Sequence, residues 1–116
     1  MTDKELLELA AKAAGYDFEK KATVSIKDGK RIYYIKHTWW DNEGRERHDY
    51  WNPLTDDGDA LRLAVKLGFV IDSHGMWMRV GEPYSDALAH EQKGDDPYAA
   101  TRRAIVRAAA EIGKNV

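Results

Sequence analysis

The sequence predicts an α+β domain: an antiparallel three-stranded meander plus a second hairpin, packed with N-terminal, central and C-terminal helices. Three observations carry that expectation. Apolar residues recur at spacings of three and four in three separate segments, each preceded by a capping side chain and followed by glycine. Between the first two segments, apolar and polar residues alternate around Asp28-Gly29, the preferred dipeptide of a tight hairpin. After the central segment, two short β-rich runs flank a polar stretch that contains Gly75.

Length and composition set the frame. A chain of 116 residues, 43% hydrophobic and 33% charged with three prolines, has the material for one core and the size of one domain, residues 1–116. The net charge of −2 excludes a bulk polyanion-binding tail, so any charged contact must be local. Without cysteine there is no disulfide framework, thiolate metal site or cysteine nucleophile. The N-terminal residues lack the charged-then-apolar layout of a secretory signal and no apolar run approaches membrane-spanning length, so a cytoplasmic protein without a membrane partner is expected.

The elements follow in order. Thr2 and Glu5 form a capping box for a helix over about Asp3 to Ala14, with Leu6, Leu9, Ala10 and Ala13 on one stripe and Gly15 at its exit. Ala22, Val24 and Ile26 alternate with polar residues in a first strand. A second strand runs from Lys30 to Trp40, and a third from Arg45 to Trp51, after a turn at Asp41-Asn42-Glu43-Gly44. Pro53 stops the sheet, and Thr55-Asp56-Asp57 starts a helix that runs from about Asp56 to Leu67 and ends at Gly68. Phe69-Val70-Ile71 and Met76 to Val80 form the second hairpin. Residues 81–96 read as loop, with Ser85 to Glu91 compatible with a short helical turn. Asp96 caps, and Pro97 opens, a long last helix carrying Tyr98, Ile105, Ala109 and Ile112 to Gly113.

The most informative expectation concerns strand faces. If Asn42 and Glu43 form a two-residue turn, His37 stands opposite His48, and the meander divides into two unlike faces. One carries Val24, Ile26, Tyr33, Ile35, His37, Trp39, His48 and Tyr50 and is assigned to the interior. The other carries Tyr34, Lys36, Trp40, Arg45, Arg47 and Trp51, rings interleaved with cations. Those six residues are the candidate binding set, since rings stack at small conformational cost while Lys and Arg attract phosphates or carboxylates. The folding explanation is that another element covers Trp40 and Trp51 while the basic heads reach water along their stems.

Catalytic chemistry finds less support. The His37–His48 pair with Asp49 nearby falls short of the three or four ligands of a zinc site, and strand alternation sends His48 and Asp49 to opposite sides. Asp56, Asp57 and Asp59 lack the bidentate glutamate of a calcium loop, with Leu67 at its place, and serve better as helix-start charges. His74, His90, Ser73 and Ser85 form no hydrolase pattern, and no phosphate loop or dinucleotide fingerprint occurs. Arg102, Arg103 and Arg107 on the last helix offer a phosphate contact, but Arg103 and Arg107, four residues apart, read better as a solvated helix ridge. No catalytic residue, metal or cofactor is therefore assigned.

The segment Trp51-Asn52-Pro53-Leu54-Thr55-Asp56-Asp57-Gly58-Asp59-Ala60-Leu61-Arg62-Leu63-Ala64-Val65-Lys66-Leu67 resembles a group of small accessory proteins of tailed bacteriophages and prophages. The segments Leu6 to Gly15 and Ala100 to Gly113 are similar in kind. That resemblance implies a phage accessory gene product acting in bacterial cytoplasm, and it brings no catalytic residue or substrate. The expected function is noncatalytic binding of a host or phage macromolecule, foremost a protein, as an inhibitor or adaptor. The alternative is nucleic-acid binding through the aromatic and basic face.

Overall fold

In a computed structural model of the chain, the described residues are 1–16, 23–27 and 30–116, and for 23–27, 30–39, 48 and 49 the description is of backbone alone. The fold is α+β, and the described residues form three helices and two three-stranded antiparallel sheets. Helix α1 spans Asp3–Ala13, strands β1 Thr23–Lys27, β2 Lys30–Trp40 and β3 Glu46–Trp51, and helix α2 Asp57–Leu67. Strands β4 Val70–His74, β5 Trp77–Gly81 and β6 Ala87–Gln92 precede helix α3, Pro97–Gly113. The expected Asp28-Gly29 turn and the strand start at Ala22 lie outside the described residues.

The helices begin where their caps dictate. The Thr2 hydroxyl accepts from the Glu5 amide at 3.2 Å, the Asp56 carboxylate from Asp59 at 2.8 Å, and Asp96 from Tyr98 and Ala99 at 3.1 and 3.0 Å. Gly68 closes α2 at φ +68°, a left-handed conformation that costs other residues about 1 kcal/mol or more.

Helix α3 occupies the centre. It packs on α1, α2, β5 and β6, and its Ala104, Ala108, Ala109 and Ala110 are buried among Leu6, Leu7 and Ala10 of α1, Leu63 of α2 and Val80 of β5. Small side chains let the helices approach closely. At Gly113 an added Cβ would lie 2.8 Å from the Leu9 carbonyl carbon, so only glycine fits there.

The second sheet corrects the expected hairpin. Ala87–Gln92 is a strand, with Val80 opposite Ala89 and Arg79 opposite His90, and no helical turn forms over residues 85–91. The β4–β5 register brings His74 opposite Trp77, so the expected four-residue connection shortens to Gly75 and Met76.

The arginines of α3 do more than form a solvated ridge: Arg103 and Arg107 keep 43% of their side-chain surface open, yet each of the three also engages another element. Arg102 Nε donates to the Leu54 carbonyl at 2.9 Å and Nη1 to Asp57 at 2.6 Å, at the start of α2. Arg103 reaches Asp3 of α1 at 3.2 Å, and Arg107 reaches Glu91 at 2.7 Å and the His90 carbonyl at 2.9 Å on β6.

Candidate functional site

The β2–β3 connection decides what the first sheet can present. Gly44 donates to the Asp41 carbonyl at 3.0 Å, closing a turn, and takes φ +75°, while the Asp41 amide donates to the Arg45 carbonyl at 3.0 Å. Gly44 is thus one extra residue on the third-strand side, the arrangement of a glycine bulge following a turn. Its consequence is a one-residue shift from the expected register. Ile35 stands opposite Trp51, Lys36 opposite Tyr50, His37 opposite Asp49, Thr38 opposite His48 and Trp40 opposite Glu46.

Residues directly opposite in an antiparallel pair share a face, so the shift exchanges every β3 residue between faces. The expected His37–His48 pair is lost. Trp51, expected on the contact face, belongs to the core: it is 7% exposed and meets the Tyr16 ring edge-to-face at 5.2 Å and 75°. Lys66 Nζ lies 5.0 Å from the centre of that Tyr16 ring, over the same cluster. Tyr50, expected inside, is instead 55% exposed, and Trp40 is 68% exposed.

Trp40 and Tyr50 therefore lie on one face of adjacent strands, in phase with the register positions of Tyr34 and Lys36. Tyr50 stands opposite Lys36, four residues before Trp40, which separates the two rings' backbone positions by about 13 Å along the strands. Sequence reasoning placed Trp40, Tyr34 and Lys36 on this face but missed Tyr50. The glycine at position 44 was the available signal.

Arg47, expected on the contact face, crosses with the register to the Trp39 face, and neither it nor Arg45 is a free cation. Both donate through Nε to Asp41 Oδ2, at 3.1 and 3.0 Å, and Arg45 also meets Glu43 at 2.9 Å. The other Asp41 oxygen accepts from the amides of Arg45 and Glu43, each at 2.9 Å. The Arg45 amide is the first cause holding the Asp41 carboxyl below the usual carboxylate range, opposed by partial burial and reinforced by the Arg47 side chain.

The Trp51–Leu54 corner is built from internal bonds. Asn52 is buried, its side-chain oxygen accepts from Leu54 at 2.8 Å, and its amide donates to Asp59 at 3.0 Å. Asp59 also binds Arg62 at 2.8 Å, the first cause raising the Arg62 guanidinium above its ordinary value. All three acidic residues at the start of α2 thus have protein partners, Asp57 holding Arg102 and Asp56 capping the helix. Among the described residues no group of three or more His, Asp or Glu side chains could hold a metal ion, and no helix is long and apolar enough to cross a membrane.

Compared with known proteins, the chain matches no family model, no curated protein and no solved structure.

Proposed function

We propose that the protein is a noncatalytic binding protein that engages another protein through the Trp40–Tyr50 face of its first sheet. The supporting observation is the pair of exposed rings, Trp40 and Tyr50, on a face from which the register removes Arg47, which stands opposite Trp39 and binds Asp41. Large aromatic side chains supply contact area at low conformational cost and anchor protein interfaces. Phosphate binding needs several cations able to release counterions, and of the expected Lys36, Arg45 and Arg47 the register keeps Lys36 on this face, takes Arg47 to the other, and leaves both arginines bound to Asp41. That balance favours a protein partner over nucleic acid. The resemblance of residues 51–67 to accessory proteins of tailed phages supports a partner from the phage or its bacterial host, met in the cytoplasm, with the chain as inhibitor or adaptor.

Affinity capture from bacterial lysate, with and without nuclease, tests this reading. The expected result is a protein retained after nuclease and at raised salt, and lost from the Trp40→Ala, Tyr50→Ala double variant. Both side chains being exposed, the double variant should unfold within about 1 kcal/mol of the parent. A partner released by nuclease, with binding that falls steeply as salt rises, would replace the protein reading with nucleic-acid recognition.

A further inference from the structure

The second sheet has two edges, and they are treated differently. At β6, Arg107 covers the edge by donating to the His90 carbonyl, and a register irregularity at Val80/Gly81 interrupts the β5–β6 ladder. At β4 all five residues are exposed, and the register against β5 is uninterrupted from Val70 to His74. Among the described residues, no group outside the β4–β5 ladder donates to, or accepts from, the β4 backbone. The strand Val70-Ile71-Asp72-Ser73-His74 carries no proline, lysine or arginine, and its one formal charge, Asp72, is paired to Arg79 at 2.6 Å. An unprotected edge presents a row of amides and carbonyls shaped for one occupant, another extended strand.

We propose that this occupant is the β4 strand of a second copy, paired antiparallel about Ser73 to join two three-stranded sheets into one of six. The choice of register follows from charge. Pairing about Asp72 sets that carboxylate against its own copy, which like charges oppose, and pairing about Ile71 sets it against Val70. Pairing about Ser73 sets Asp72 against the partner subunit's His74, whose imidazole donates to the carboxylate. The two-fold axis makes that contact twice.

The same register carries Val70 towards the partner subunit's Met76 at the hairpin tip. Val70 is 49% exposed and Met76 72%, so each copy covers an apolar side chain that the monomer leaves open. Arg79, paired to Asp72 at 2.6 Å on the neighbouring strand, holds the carboxylate in place. In this register each copy contributes residues 70–76, of which Asp72, Ser73 and His74 pair strand to strand, a small interface of the size class of weak, reversible dimers. The surface is separate from the Trp40–Tyr50 face.

Sedimentation equilibrium from micromolar to millimolar protein tests the proposal. The expected result is a mass that rises from monomer to dimer, at least tenfold weaker association for His74→Asp, and retained association for His74→Lys, which keeps a donor opposite Asp72. Thermal melts check that both variants fold. If His74→Asp does not, hydrogen exchange on the parent decides the matter through concentration-dependent protection of the Val70–His74 amides. A monomer throughout the range, or a dimer indifferent to His74→Asp with β4 amides unprotected, would overturn the proposal.

Discussion

Tyr84 is the one non-glycine residue with positive φ among those described, at +60°, in the Glu82-Pro83-Tyr84-Ser85-Asp86 connection between β5 and β6. Its side chain is wholly exposed and buries nothing in exchange for that conformation. Left-handed backbone costs an L-residue roughly 1–2 kcal/mol, while glycine loses about 0.5–1 kcal/mol of extra unfolded-state freedom. Tyr84→Gly should therefore stabilise the protein by about 0.5–1 kcal/mol, read as a higher urea midpoint with unchanged slope. A lower midpoint would mean that the Tyr84 ring contributes contacts the exposure does not show.

At the scale of elements, Asp41 holds the β2–β3 connection, and its carboxyl titrates below the ordinary carboxylate range. A depressed folded value means the charged form favours the folded hairpin. That contribution is complete above the ordinary value and disappears as pH falls through the lowered folded value. Asp41→Asn should weaken amide protection at Arg45 near neutral pH, and the difference from the parent should vanish under acid conditions. A difference that stays constant with pH would show that the carboxylate charge is not what orders the connection.

The same connection marks where sequence was and was not legible. Caps and exits were readable because Thr2, Asp56, Asp96 and Gly68 satisfy helix-end groups through local bonds that need no tertiary context. The candidate face was half legible. A two-residue turn and a turn with a glycine bulge use the same letters Asp41-Asn42-Glu43-Gly44, and one added position sends Trp51 inward and Tyr50 outward. Strand β6 was illegible for a different reason: Ala-Leu-Ala-His-Glu-Gln favours helix locally, and its pairing with β5 together with the Arg107 contacts overrides that preference.

For the whole molecule, the decisive feature is that one helix backs most of the others. Helix α3 is tied to α2 by Arg102, to α1 by Arg103 and to β6 by Arg107, and its alanine face lets α1 pack at close range. Helix α1 in turn packs on β2, so the first sheet reaches the α3 layer through it. Gly113→Ala sets two effects against each other. Alanine improves helix propensity by up to about 1 kcal/mol, and by less at a helix end. Its Cβ, however, meets the Leu9 backbone, which has no rotamer by which to move aside, and overpacking of that kind costs about 1–3 kcal/mol. The clash should win, lowering stability by about 2 kcal/mol. Because α1 joins the first sheet to α3, far-ultraviolet circular dichroism and tryptophan fluorescence should shift together to a lower urea midpoint. A rise in stability would show that α1 yields at Leu9, and a shift in one signal alone would show that the two sheets unfold as separate units.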